Sequence, residues 1–464
     1  MALTLSFSLP HIGYESTEMI FPTDFMFGCA SSAFQTEGSG TEGGRGPATW
    51  DSYIQDDTTD GTDIAIDSYN RYKEDVQLLV NMGVDTYRFS ISWSRLLPDG
   101  TIDGGINQEG IDFYNNFIDE LVANGITPFV TLFHFDLPTA LDTKYSGFLS
   151  IDIVEDFKAY ADLYANAATD PFVSSHNLIL AHAAAAKLYQ TTYKPTQEGE
   201  IGIPIQIEWF EPYEDTPQDV SAARRAFDFF VGWFLEPLVY GDYPFIMRAL
   251  VNDGLPTFTD EQKELVKGSY DFIGVNYYTS NFAADIPKTN NDVYTAYTDY
   301  RHATLSVTGS DGELIGPATP GSSQIYVYPE GLKKTLILLK DYNNPKIYVT
   351  ENGYPDLRDD TLTVEEASID DARIQHMQDH LAAIKEAMTA GTNVNGYLMW
   401  TLTDCVEMGS AYTVRFGLNY TDYLNDLART PKKSAGWLKD WLAASNFNHF
   451  DPLQLDLGRF GFQE

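Results

Sequence analysis

Residues Lys346-Ile-Tyr-Val-Thr-Glu-Asn-Gly353 form a short apolar run that ends abruptly in a carboxylate, an amide and a glycine. Ile347, Tyr348 and Val349 lack polar alternation, as strands covered on both faces do, and Gly353 lets the backbone turn directly after the acid. The run reads as a buried strand that delivers Glu351 to a rim. Alone, the octapeptide reads at least as well as an ordinary strand end with a solvated acid, so the surroundings have to decide.

Similar runs lie on both sides of it. Residues 25–35 read as a strand ending at Gln35 and Glu37, 86–92 as one carrying Arg88, and 127–134 as one closing on His134, Phe135 and Asp136. Residues 201–209, 272–278 (with Asn276 and Tyr278) and 394–400 (ending at Trp400, with Glu407 beyond) complete the set. Helical spacing fills the intervals at 64–82, 111–123, 153–164, 221–238, 329–342 and 369–390. Ile66, Tyr69, Tyr72, Val76 and Leu79 share one side of the first of these. Strands alternating with helices predict the α/β class, a parallel sheet covered on both sides. One interval breaks the rhythm: the helix at 153–164 is followed by another through His176 and His182 to Tyr189, with no strand between. The pattern therefore predicts a (β/α)8 barrel of the TIM type that lacks its fourth strand and loop. No proline-rich linker or composition break divides the chain. Residues 1–464 are expected to form one barrel domain, with a lead-in at 1–20 and a tail at 443–464.

Acids exceed bases by 67 − 29 = 38 in the 464 residues, so the field repels phosphate backbones and anionic headgroups. Neither nucleic acid nor a membrane is expected as a partner, and no apolar run approaches the roughly 18–20 residues that span a bilayer. The first ten residues carry no Lys or Arg and make a poor signal peptide. A soluble protein follows, with the cytoplasm slightly favoured and the compartment otherwise open. Cys29 and Cys405 are too few for a disulfide framework or thiolate cluster and are expected to be free. No cofactor is expected. Gly38-Ser-Gly-Thr-Glu-Gly43 matches G-x-G-x-x-G formally, but Gly44, Gly46 and Pro47 prolong the loop where a pyrophosphate site needs a helix to open. His376 and His380 lie at i and i+4, yet Met377 stands where a zinc protease helix needs glutamate, so that face is expected to be solvated and no metal is assigned. Asn419-Tyr-Thr421 is a glycosylation sequon inside a strand-like run where a glycan would not fit.

In such a barrel, polar residues at the carboxyl ends of different strands converge on one rim. Here they are Gln35, Arg88, His134, Asn276, Tyr278, Glu351, Trp400 and Glu407. Amides, imidazole and carboxylates among aromatic rings suit a neutral polyhydroxylated ligand, whose hydroxyls need paired donors and acceptors and whose C–H faces pack on aromatic planes. Each residue alone has a plain structural reading. Gln35 could belong to a loop, Arg88 could neutralise a buried acid, and His134 could be a satisfied core histidine. Asn276 and Tyr278 could simply end a strand. Together they require every strand to end in a functional residue type by accident.

Phe34-Gln-Thr-Glu37, Tyr87-Arg-Phe-Ser-Ile-Ser-Trp-Ser-Arg95, His134-Phe-Asp-Leu-Pro138, Asp271-Phe-Ile-Gly-Val-Asn-Tyr-Tyr278, Val349-Thr-Glu-Asn-Gly353 and Arg415-Phe-Gly-Leu-Asn-Tyr420 resemble glycoside hydrolase family 1, the β-glucosidases and their relatives. The resemblance runs from about Phe21 to Leu442. It implies a retaining mechanism on a β-glucoside or similar small carbohydrate. By motif, Glu351 would be the nucleophile, with Tyr278 and Arg88 holding its carboxylate. Gln35, His134, Trp400 and Glu407 would grip the nonreducing sugar, joined by Asn276.

The resemblance also exposes a gap. A retaining glycosidase needs two carboxyl groups about 5–5.5 Å apart, and in this family the second belongs to a Thr-x-Asn-Glu-Pro motif ending the fourth strand. No Asn-Glu-Pro occurs anywhere in the chain, and the family-like text passes from 156–163 to 170–177 within a few residues. No acid/base is identified. Glu211-Pro212 and Glu236-Pro237 fall in other family segments, and Asp136 and Glu208 are weak substitutes. Met408 replaces an aromatic platform after Glu407. Loss of a general acid costs ~10²- to 10⁴-fold, and loss of a strand forces its neighbours to pair directly, gape, or borrow a strand. The leading expectation is a β-glucosidase-like enzyme with impaired hydrolysis. The alternatives are a noncatalytic sugar-binding or regulatory homologue, associating with itself or with full-length relatives, and an incomplete gene product with no stable role.

Overall fold

A computed structural model describes residues 20–40, 42–52, 65–158, 170–289 and 292–445. Most of the lead-in and the tail, and the junction at 165–169, lie outside these residues. Seven parallel strands carry the architecture: β1 Met26–Ala30, β2 Thr86–Ser90, β3 Thr127–Thr131, β4 Gly202–Pro212, β5 Phe272–Asp285, β6 Lys346–Glu351 and β7 Val394–Trp400. They neighbour one another in the order β3-β2-β1-β7-β6-β5-β4, and a short strand, Ala303–Ser306, pairs antiparallel with the far end of β5. First and last strands thus lie side by side, Met26 opposite Gly396 and Ala30 opposite Trp400.

The sheet curls on itself. Phe129 of β3 meets Phe272 of β5 and Tyr348 of β6 with ring centroids 5.3 and 5.6 Å apart, although β2, β1 and β7 separate β3 from β6 along the sheet. Among the described residues the curl does not close. Among the described residues no strand lies between Thr131 and Gly202, and β3 and β4 stand as the two edges. Direct pairing of these strands, one of the sequence-based options, does not occur. Burial follows the same division: every residue of β2 and Ile347–Glu351 of β6 are buried, whereas Thr127–Val130 are half-buried and Gln206 of β4 is exposed.

Helices α1 Ser68–Met82, α2 Gln108–Ala123, α3 Asp170–Leu188, α4 Pro217–Phe227, α5 Pro329–Leu338, α6 Asp371–Thr389 and α7 Lys433–Ala444 flank the strands. In α2 the buried residues Ile111, Tyr114, Phe117, Ile118 and Leu121 fall at helical spacing, which presses one stripe onto the core. Gly83 ends α1 in the left-handed conformation that lets its amide reach the Leu79 carbonyl.

Two expectations need correction. Gln35 does not end a strand; it sits in a helical turn, Ala33–Thr36, after β1. His376 and His380 are not solvated but buried on α6, with rings 4.0 Å apart. Arg373, His376, Met377, His380, Leu381 and Ile384 make one inward stripe, so the histidines belong to the core face. Among the described residues no group could hold a metal ion, and no helix is long and apolar enough to cross a membrane. Cys29 and Cys405 are free and buried. The glycine-rich segment is fastened as a loop, Arg95 donating to the Gly38 and Glu42 carbonyls. Asn419 is buried and donates to the Leu402 carbonyl at 2.7 Å, leaving no room for a glycan.

Candidate active site

β6 brings Glu351 to its position through a register irregularity. Tyr348 faces the interior and Thr350 donates to Asn276 Oδ1 at 2.6 Å, so strict alternation would turn Glu351 outward. Val275 lies opposite Val349 but Asn276 opposite Glu351, and this bulge at Thr350 lets the carboxylate swing inward. Gly353 does not adopt a left-handed conformation; glycine is required because a Cβ would lie 2.3 Å from the Trp400 carbonyl oxygen. Between them, Asn352 accepts from the Tyr397 hydroxyl at 2.7 Å and donates to the Tyr277 carbonyl at 2.8 Å, tying β5, β6 and β7 together.

Both Glu351 oxygens are held. Arg88 of β2 donates through Nη1 to Oε1 at 2.5 Å, and the Tyr278 hydroxyl of β5 donates to Oε2 at 2.7 Å. Arg88 is itself aimed by Thr131 of β3, whose Oγ1 accepts from Nε at 2.9 Å. Burial and the Glu351 charge push the Tyr278 hydroxyl well above its ordinary pKa, so it serves as a donor.

A second group adjoins the first. Gln35 Nε2 donates to the Val406 carbonyl at 2.6 Å and to Glu407 Oε2 at 3.3 Å, while Trp400 Nε1 donates to Glu407 Oε1 at 3.2 Å. The Cys405 thiol adds a contact to the same oxygen at 3.7 Å. Burial drives the Glu407 carboxyl up to about 8, the nearby Glu351 charge adding to the rise against these hydrogen bonds. His134 lies parallel to Trp400, centroids 5.6 Å apart. Burial, opposed by Glu351 and helped by Arg88, takes its imidazole down to about 4, so it is neutral at pH 7. The loop bearing Glu407 is anchored by buried Asp404, which accepts from Arg415 and Lys432, each at 2.8 Å.

The structure thus gathers Arg88, Asn276, Tyr278 and Glu351 into one cluster and Gln35, Trp400, Glu407 and stacked His134 into an adjoining one. Sequence reasoning assigned nothing to Thr131, Asn352 or Cys405. Thr131 was findable, since it shares the inner face of β3 with Phe129. Two of the other carboxyls considered, Glu208 and Glu211, are engaged elsewhere. Glu208 accepts from Asn281 at 2.8 Å, and Glu211 from Tyr328 and Lys334 at 2.9 and 2.5 Å. Asp136 accepts from the His134 amide at 3.3 Å; its other oxygen is buried without a partner, and burial raises it to about 7. Its charged neighbours are Arg45 and Glu37.

The model of glycosyl hydrolase family 1 matches residues 17–170 and 163–447. The chain belongs to glycosyl hydrolase family 1. A furostanol glycoside 26-O-β-glucosidase from Hellenia speciosa is 46% identical over 477 aligned positions, covering 91% of this chain and 83% of that protein. A family 1 β-glucosidase from the fungus Humicola insolens, solved in complex with glucose, superimposes with a TM-score of 0.86 at 38% identity, covering 92% of this chain and 99% of that one. A mutant of the rice β-glucosidase Os3BGlu6, in a covalent complex with Glc from GA4GE, gives the same TM-score and identity, covering 90% and 98%. Family 1 membership fixes the fold as the (β/α)8 type, which this chain realises with the open interval between β3 and β4. Within the family match, Met408 is half-buried beside the exposed Gly409.

Proposed function

We propose that the protein is a retaining β-glucosidase-type enzyme in which Glu351 forms a glycosyl-enzyme, and in which hydrolysis is impaired because no acid/base faces it among the described residues. The observation that carries this reading is the two-sided grip on Glu351: a guanidinium on one oxygen and a phenol on the other fix the carboxylate for attack on an anomeric carbon. Gln35, His134, Asn276, Trp400 and Glu407 supply donors, acceptors and ring faces suited to a sugar. Glucose bound to one relative and covalently held Glc in another support a carbohydrate ligand. The acid side has no comparable residue among those described.

A fluorinated glucoside tests the nucleophile, and a pair of substrates tests the missing acid. The expected outcome is a covalent adduct on Glu351, cleavage of an aryl glucoside with an acidic leaving group, and little cleavage of an alkyl glucoside. Absence of both adduct and aryl cleavage would remove the enzymatic reading. The open edges of β3 and β4 favour one other reading, a noncatalytic homologue that docks onto intact relatives; glucose binding without turnover, with co-migration of such a relative, would support it.

A further inference from the structure

We propose that Cys405 is a positioning residue of the sugar grip: its thiol, together with the Trp400 indole, pins one oxygen of Glu407 and leaves the other with capacity for a ligand hydroxyl. This rests on the reading of Gln35, Trp400 and Glu407 as that grip. Long contacts alone hold the carboxyl. Trp400 Nε1 donates to Oε1 at 3.2 Å, Gln35 Nε2 donates to Oε2 at 3.3 Å, and the Cys405 sulfur lies 3.7 Å from Oε1. An ordinary N–H···O bond spans about 2.7–3.2 Å, and the terminal torsion of a glutamate side chain is broad. The contacts therefore set the carboxyl plane jointly, and removing one frees it to turn.

The two oxygens are loaded unequally. Oε1 takes the indole and the thiol, whereas Oε2 takes one amide, and that amide stands closer to the Val406 carbonyl, at 2.6 Å. A carboxyl oxygen has two lone pairs, so Oε2 is the better placed to accept again.

The thiol has little freedom to leave. Cys405 is fully buried, its carbonyl accepts from the Tyr423 hydroxyl at 3.2 Å, and the next amide, Val406, donates to the Gln35 carbonyl at 3.3 Å. Burial first, then the charges of Glu407 and Asp404, push the thiol well above its ordinary pKa, so the sulfur keeps its proton and donates it. The ionisable groups facing the pair are Glu351 of β6 and Tyr278 of β5 toward Glu407, and Asp404, Tyr87 of β2, Tyr412 and Tyr423 toward Cys405. The other thiol offers a control. Cys29 is just as buried on β1, opposite Met399 and Tyr87, and burial alone raises it.

The test measures glucose binding to the full chain by calorimetry from pH 5 to pH 9, for the unaltered protein, Cys405→Ala, Cys405→Ser and Cys29→Ala. A donor to the charged form lowers a carboxyl's pKa, so losing the thiol raises it. Affinity in the unaltered protein is expected to turn over near pH 8, where Glu407 ionises. Cys405→Ala is expected to weaken binding about two- to tenfold and to move the midpoint up by about half a pH unit or more. Cys405→Ser, which keeps the volume but carries its hydroxyl on a shorter bond that falls short of Oε1, is expected to follow it, while Cys29→Ala leaves the midpoint in place. A midpoint that is unchanged or lowered in the Cys405 variants, or that Cys29→Ala moves equally, would overturn the role of Cys405 and leave the sugar grip standing. No glucose binding by the unaltered protein at any pH would remove the grip and the proposal together.

Discussion

The barrel has a closed side and an open side, and the candidate site draws on them unequally. On the closed side β2, β1, β7 and β6 pair in unbroken sequence and bury nearly every residue. On the open side β3 and β4 are each paired on one flank only among the described residues, and Leu132 and Phe135 beyond β3 are 44% and 49% exposed. Arg88, Glu351, Trp400 and Gln35 all hang from the closed side, and Tyr278 from β5 beside it. The holding of Glu351 and Glu407 therefore rests mainly on strands that pair without interruption, with Thr131 and His134 as the contributions from the side of β3.

Filling the gap would break the contrast most directly. Grafting the fourth-strand segment of a full-length relative, with its Asn-Glu-Pro, between residues 158 and 170 should raise alkyl glucoside hydrolysis ~10²- to 10⁴-fold; steady-state rates on alkyl and aryl glucosides check it. Next in size is Arg88→Ala on the closed side, which strands the buried Glu351 carboxylate and should cost about 3–5 kcal/mol in urea unfolding. Truncations without charge sharpen the comparison further. Phe27→Ala, in β1, should cost about 3–5 kcal/mol, while Gln206→Ala, on exposed β4, should stay within about 0.5.

The last expectation is a pH dependence. Glu407 rises from an ordinary 4.5 to about 8 in the folded protein, so the fold binds this proton more tightly than the unfolded chain does. The contribution is fully present below about pH 4.5 and is lost as pH climbs toward 8, at up to about 1.4 kcal/mol per unit. Asp136, raised from 3.8 to about 7, adds the same sign over a lower window. Glu407→Gln should flatten the loss between pH 5 and pH 8, with unfolding curves at the two values as the measure.

Much of this was legible from the chain. Apolar runs located all seven strands, most plainly β1, β2, β6 and β7, whose two faces are both buried, and among the described residues the strandless interval is where the sheet opens. Glu351, Arg88 and Tyr278, which the structure brings into contact, stood out because they end or sit near the ends of such runs. Gln35 was misplaced on a strand, since a four-residue helical turn is too short to leave a period. The histidines of α6 were misread because polarity was taken for exposure, while their spacing matched the buried stripe. The bulge at Thr350 was invisible: it is a relation between β5 and β6, and neither run states it alone. The role of Gly353 was found for the wrong reason, its contact with Trp400 being a tertiary fact.

The pairing of β1 with β7 has a topological consequence. The first and last of the seven parallel strands are zipped together from Met26 opposite Gly396 to Ala30 opposite Trp400, while the mid-chain strands β3 and β4 are not joined to one another. The molecule is therefore a ring cut at its middle and welded at its ends. Among the described residues, residues up to 158 and residues from 170 onward are joined by strand pairing along β1 and β7 alone, and Arg88 on one stretch and Glu351 on the other complete a site that neither stretch holds by itself.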